Sequence, residues 1–341
     1  MAHRHLVLVG AGYAHLHVLR GFAAAQPADV DISLVWPHSH VVYAPMLPGL
    51  VAGLVQQADC SIELAPLLLG SRIRHVLAQA KQIDHSAKSI TLGNGAQLGF
   101  DHISIDWPST LDKAAVEAAM PGARAHALFA EPAEGFVKYW PDMAAHAGHS
   151  SFLMGLENKL GQGLNVAVVG AGAQGVALAF ALQQALPGSR VTLVGDAAPP
   201  AFNCPRHAQQ LARRALARQG ISHIQDACIG IDAHQLHLAS GARLRCDTPV
   251  IALQGPQWAD PHKERFHPAQ GPALLAHLRA VLDGRRSKKP ATKSRGLHLT
   301  ELGARNAIAQ WGPWTASGRW VWHWHNVRNQ RWIRQTNQVK A

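Results

Sequence analysis

The chain has 341 residues, 48% of them hydrophobic, a mean hydropathy near zero and a formal net charge of +11; it is long enough for two domains with full cores, and its composition excludes a largely disordered chain. No apolar run approaches the roughly 20 residues that a membrane-spanning helix needs, and the N-terminus enters a strand without a signal-peptide pattern, so the expected location is cytoplasmic. The charge fits a solvated basic surface, an anionic membrane face, a polyphosphate ligand or nucleic acid; no zinc-finger or RNA-binding signature accompanies it, and nucleic acid is not the expected partner.

In chain order, residues 6–9 (LVLV) predict a buried strand, and Gly10-Ala11-Gly12 lets the backbone turn sharply before a helix over 13–23. The start of that helix suits the phosphates of a dinucleotide through its unpaired N–H groups and partial positive charge. The third glycine of the usual G-x-G-x-x-G is replaced by His15. A second, complete copy supports the pattern: Gly170, Gly172 and Gly175 in VAVVGAGAQGVALAFAL. A parallel strand is predicted over 30–36 (VDISLVW). An acid that binds the ribose hydroxyls usually follows the glycines by about 20 residues. Positions 35–37 read Val-Trp-Pro, so contacts near Pro37 would come from backbone groups.

Residues 43–50 (YAPMLPGL) place two prolines around an apolar pair, which predicts a stiff loop leading into a short helix; a purely structural loop is the alternative. The order LVLVGAGYAHLHVLR, then VWPHSHVVYAPMLPGLVAG, resembles the pyridine nucleotide–disulfide oxidoreductase superfamily. The likeness is greatest to type II NADH dehydrogenases and to the flavoprotein module fused to selenide, water dikinase. This resemblance implies an α/β fold of two Rossmann-like three-layer dinucleotide-binding domains, the second inserted in the first. The expected limits are 1–115 with 250–341 for FAD and 116–249 for NAD(H). It also implies that Gly10, Gly12, His15 and the Pro37 region hold FAD, with Tyr43, Met46 and Pro48 beside the isoalloxazine.

Residues 73–83 and 89–92 predict a small β-meander around Gly93-Asn94-Gly95, and 100–106 (FDHISID) return the chain to the central sheet. The family then has a Gly-Ser or Thr-Gly pair against the FAD. Here Trp107-Pro108-Ser109-Thr110 follows, so Ser109 is the expected contact, while Pro108 removes a backbone donor. Glu131 stands where relatives often carry lysine. A helix is expected within 133–162, then the second fingerprint: strand 166–169, the turn Gly170-Ala171-Gly172-Ala173-Gln174-Gly175, helix 176–186 and strand 191–194. Asp196 lies about 20 residues beyond the turn, where an acid binds both ribose hydroxyls of NAD and repels a 2′-phosphate. The resemblance makes Gly170, Gly172, Gln174, Gly175 and Asp196 the NAD(H) site. Relatives commonly read Gly-Val-Glu after the turn; this chain reads Gly175-Val176-Ala177 and lacks that carboxylate.

A basic helix over 205–218 is either a solvated face or a grip for phosphate or nucleic acid, and a second meander follows over 230–246. Residues 248–254 (TPVIALQ) return to the first domain, with Gly255 expected at the cofactor. The family's second FAD signature, a strand ending in Gly-Asp, is missing between Trp258 and Gln270, a loss on the order of 30 residues. A basic linker covers 285–295. The Trp- and Arg-rich C-terminus beyond it suggests an interfacial anchor on the inner face of a membrane, or tryptophans packed on the first domain or on a second subunit in a homodimer. The four cysteines form no CxxC pair and the 22 histidines no ligand spacing, so structural thiols and no metal are expected. No catalytic acid, base or nucleophile is assigned. Two functions stay open. One is a FAD-dependent NAD(P)H oxidoreductase passing hydride from NADH to flavin and then to a quinone or other small acceptor. The other is a non-catalytic dinucleotide-binding protein, an NAD(H) sensor or scaffold, that has lost tight FAD binding.

Overall fold

Strands that are apolar on both faces need cover on both sides, and the chain supplies it twice. The structure, a computed structural model, describes residues 4–109, 111–148, 163–196, 200–201, 204–253, 266, 268–288, 297–311 and 314–337. The first sheet is built from β1 (Arg4–Val9), β2 (Val30–Val35), β3 (Arg74–Val76) and β4 (His102–Ile105), with α1 (Tyr13–Ala24) between β1 and β2. Its order is β3-β2-β1-β4, all parallel. Leu6 and Leu8 face α1, where Leu16, Leu19 and Phe22 share their core. Val7 and Val9 face the other way, onto Ile90, Leu92 and Phe100 of the antiparallel meander that runs through Ala80–Asp84, Ser89–Leu92 and Gln97–Gly99.

The second sheet repeats this plan. It contains β5 (Leu128–Phe129), β6 (Asn165–Val169), β7 (Arg190–Gly195), β8 (Ser222–Gln225) and β9 (Thr248–Ile251). The order is β5-β9-β6-β7-β8, again parallel. Its helices are α2 (Ala133–Gly148), α3 (Ala173–Ala185) and the basic α4 (Arg206–Arg218). Superposing the two orders makes β1 equivalent to β6, β2 to β7, β3 to β8 and β4 to β9. The fifth strand, β5, lies beyond β9, whereas the first sheet ends at β4 among the described residues. A strand of the missing Gly-Asp signature would stand at that edge.

The domain limits need correction. β9 belongs to the second sheet, and Leu111 and Val116 pack in the core under it. The inserted unit therefore runs from Leu111 to Ala252, not over 116–249, because burial against β6 and β9 decides membership. Beyond it, α5 (Gly271–Leu282) packs on α1 closely enough that a Cβ added to Gly21 would lie 2.2 Å from the Leu275 side chain. The C-terminal unit is the antiparallel sheet β10 (His298–Glu301), β11 (Ala307–Trp311) and β12 (Trp314–Gly318), followed by α6 (Arg319–Asn337). The buried face of α6 carries Val321, His325, Asn329 and Ile333, a stripe at every fourth residue. Among the described residues no helix is long and apolar enough to cross a membrane.

Candidate functional site

Each sheet carries a glycine bend between its opening strand and the helix that follows. In the first, Gly10 has φ +84° and donates its N–H to Val35 at 3.0 Å. In the second, Gly170 has φ +120° and donates to Val194 at 2.8 Å. Both values lie where a side chain strains the backbone, so glycine is required. Gly12 and Gly172 then cap α1 and α3 in extended conformation. Beside each bend stands the residue that follows β4 or β9. Asp106 donates its N–H to Val9 at 3.0 Å, and Ala252 donates to Val169 at 2.8 Å. The Asp106 carbonyl lies 2.5 Å from an ideal Gly10 Cβ, and the Ala252 carbonyl 2.4 Å from that of Gly170. Asp106 and Ala252 are the same position in two copies.

Their side chains differ in consequence. The fully buried Asp106 carboxylate lies across Gly12, where an added Cβ would sit 2.2 Å from its Cγ. One oxygen, Oδ2, accepts the N–H groups of Ala14 and His15 in the first turn of α1, both at 3.0 Å, and Oδ1 accepts that of Phe266 at 2.9 Å. Burial pushes this carboxyl above its ordinary range, opposed first by nearby His15 and then by the three N–H donors. In a dinucleotide site the second glycine keeps that space clear so that the backbone can approach the pyrophosphate. The diphosphate of FAD does not fit the first bend as folded.

His15 is likewise turned inward. It is fully buried, with Nδ1 at 2.6 Å from the Gly10 carbonyl and Nε2 at 2.9 Å from Ser104 Oγ. A carbonyl can only accept, so Nδ1 carries the proton and Nε2 accepts from the serine. Burial holds the ring below the ordinary histidine range, against the attraction of Asp106 and the Gly10 bond. At the third fingerprint position of the second copy, Gly175 has no room for a side chain. A Cβ there would lie 1.8 Å from the Gly170 carbonyl oxygen, so glycine lets α3 approach β6.

The remaining expected flavin contacts are placed as follows. Trp36 is buried and donates from Nε1 to His40 at 3.1 Å, filling the end of β2 where a ribose-binding acid would stand, while Pro37 is exposed. Tyr43 packs against Trp332 of α6, with ring centroids 4.6 Å apart, and against Tyr13 at 5.0 Å. Met46 is in the same core, and Pro48 is buried at the start of the helix Leu47–Val51. Ser109 donates to Glu131 at 2.8 Å. In the second copy Asp196 is exposed just past β7, and the buried Gln174 Oε1 has no hydrogen-bond partner among the described residues. Gly255 lies outside the described residues, as does the segment of the missing signature. The structure thus gathers Gly170, Gly172, Gln174, Gly175 and Asp196 around one strand-helix junction, and turns Tyr43, Met46 and His15 into core.

Asp106 was not among the expected site residues. Its signal was present: an acid ends the apolar strand HISI at the place where TPVI ends in alanine. Among the described residues the cysteines form no disulfide, and burial pushes Cys60 up to about 11 and Cys246 to about 12. No group of metal-binding side chains occurs among the described residues.

A family model described as pyridine nucleotide-disulphide oxidoreductase matches residues 4–259. Among curated proteins no sequence matches. The sulfide:quinone oxidoreductase of the hyperthermophilic bacterium Aquifex aeolicus is similar in structure, with TM-score 0.70 and 15% identity over 99% of this chain and 93% of its own. NDH2 from Plasmodium falciparum, solved in complex with NADH, gives TM-score 0.71 and 11% identity over 98% and 97%. A NAD-dependent persulfide reductase from A. fulgidus gives TM-score 0.65 and 16% identity over 89% of this chain and 63% of its own. At such identities these likenesses speak for the fold.

Proposed function

The chain belongs to the pyridine nucleotide-disulphide oxidoreductase family, and from that premise we propose that it is a member whose second copy holds NAD(H) and whose first copy holds no flavin, so that it acts as an NAD(H) sensor or scaffold. One observation carries this: the position that closes the first bend with Asp106 is Ala252 in the second. Where the first copy has the Asp106 carboxylate, the second has only the methyl group of Ala252. The complete glycine turn and Asp196 supply what a nicotinamide dinucleotide needs at its phosphates and ribose. Gln174 Oε1 adds a buried acceptor that lacks a donor among the described residues.

The purified protein is expected to be colourless and to bind one NADH per chain, measured by nucleotide fluorescence. A yellow protein whose visible flavin bands bleach on adding NADH would replace this proposal. It would then be a FAD-dependent NADH oxidoreductase with a quinone or other small molecule as acceptor, the activity that family membership favours.

For the C-terminal unit we propose peripheral contact with an anionic membrane face. Trp311, Trp314 and Trp320 are 68%, 77% and 64% exposed, and Arg328 sits 5.1 Å from the ring centre of Trp324. Exposed tryptophans interleaved with arginines suit a headgroup layer. Trp314→Ser should weaken sedimentation with anionic vesicles; loss of a dimer instead would assign these side chains to a second subunit.

A further inference from the structure

Three segments far apart in sequence meet at one carboxylate. Asp106 comes from the end of β4, the N–H groups of Ala14 and His15 from the first turn of α1, and that of Phe266 from the approach to α5. The Asp106 carbonyl also takes the Gly12 N–H at 2.8 Å. A helix N-terminus and converging backbone N–H groups are what a phosphate group uses in a nucleotide fold. Here an oxygen pair of the chain itself has taken those donors, out of water, at the glycine where the diphosphate would come nearest.

We propose that Asp106 is the permanent anion of the first nucleotide fold: its carboxylate replaces the dinucleotide phosphates, so the first copy is shut to diphosphate ligands and folds without one. Sterically, the space over Gly12 is taken. Electrostatically, a diphosphate beside this carboxylate would meet a like charge at a site that has already satisfied its donors. The second copy is the internal control. Its strand register is the same, Val169 opposite Ile251 as Val9 is opposite Ile105, yet Ala252 has no acceptor on its side chain. The Tyr13–Tyr43–Trp332 ring cluster covers the neighbouring loop from within, consistent with a fold completed by its own side chains.

The test is a reciprocal exchange, with ADP and inorganic phosphate as probes. Wild-type protein should bind one ADP per chain by calorimetry; this count rests on the NAD(H) proposal above. Asp106→Ala should bind a second ADP, and in anion-free buffer it should melt several degrees below wild type. Phosphate should then raise its Tm saturably and by more than it raises that of wild type. Ala252→Asp should lose the ADP that wild type binds. Two ADP per wild-type chain, one FAD retained per chain on purification, or an equal phosphate response in Asp106→Ala and wild type would overturn the proposal. If wild type binds no ADP at all, the NAD(H) proposal fails, and the phosphate response of Asp106→Ala still decides this one. Should Asp106→Ala not fold in either buffer, Asp106→Ser, which also removes the carboxylate from over Gly12, takes its place: phosphate stabilisation beyond wild type supports the proposal, and a response equal to wild type overturns it.

Discussion

In both nucleotide folds the strand beside the opening strand ends with a carbonyl pressed against the first glycine of the bend, from Asp106 in one and Ala252 in the other. The backbones follow one scheme, down to the N–H of that glycine reaching the end of the neighbouring strand. Two of the side-chain differences matter most here. Asp106 and His15 consume the polar groups of the first bend internally, while Ala252 and Gly175 let α3 close on β6 and add no acceptor. A duplicated fold can thus keep its architecture while the polar contents of its two bends diverge, because strand pairing and apolar cores hold the sheet whatever occupies the bend.

The largest expected effect falls on the copy with no slack. Gly175→Ala drives a methyl group against the backbone oxygen of Gly170, which lies 1.8 Å from the new Cβ and cannot rotate away. We expect a loss of about 3 kcal/mol in chemical denaturation, the upper range for overpacking, and loss of NADH binding. Retained binding would mean that helix–strand contact is looser than the geometry indicates.

Next is His15→Ala in the first copy, which strands the Gly10 carbonyl and the Ser104 hydroxyl in the core. The expected cost is about 2 kcal/mol, from lost packing plus unpaired polar groups. His15→Gly would complete the glycine fingerprint, yet it should restore no ADP binding, since Asp106 still crosses Gly12. A second ADP in that variant would place the block at His15 instead.

A smaller effect is the pH dependence that His15 and Asp106 give the first copy. Burial lowers the folded pKa of His15, so between that value and its ordinary one the unfolded chain holds more protons. Its contribution is therefore present above the ordinary histidine range and is lost as pH falls through that range towards the folded value. Asp106, raised by burial, works in the opposite sense: its effect lowers stability as pH rises from the ordinary carboxylate range towards its folded pKa. The difference between wild type and His15→Gln isolates the histidine; it should shrink as pH falls, measured by urea denaturation. A constant difference would show that the ring is not held neutral.

The smallest expected change in stability is at Asp196, which is exposed. Asp196→Asn should shift denaturation by less than about 0.5 kcal/mol and weaken NADH about tenfold, or roughly 1.4 kcal/mol. It should also narrow the preference for NADH over NADPH, since the repulsion of a 2′-phosphate is gone.

Much of this was legible without coordinates. Apolar runs such as LVLV and VAVV, each followed by its glycine turn, announced paired sheets; the meanders fell where expected except at Arg74–Val76, which was read as meander and instead pairs with β2 at the edge of the parallel sheet. The unit limits were less legible, because Thr248–Ile251 reads equally well as the end of one domain or the start of the next until β9 is seen beside β6. The candidate site divided in the same way. Gly170, Gly172, Gly175 and Asp196 are local to one strand–turn–helix–strand unit, whose spacing reports their placement. Tyr43, Met46 and His15 are apolar or aromatic groups whose local pattern cannot tell a cofactor neighbour from core.

By itself the amino-acid sequence determined that this protein would contain two layered nucleotide folds, since hydrophobic period and glycine spacing act over a few neighbouring residues. Only the tertiary structure decided that the first bend holds a carboxylate of the chain itself. Asp106 lies 91 positions from the His15 N–H it accepts and 160 from that of Phe266, and an acid becomes a ligand substitute only when the fold removes it from water and brings distant donors to its oxygens.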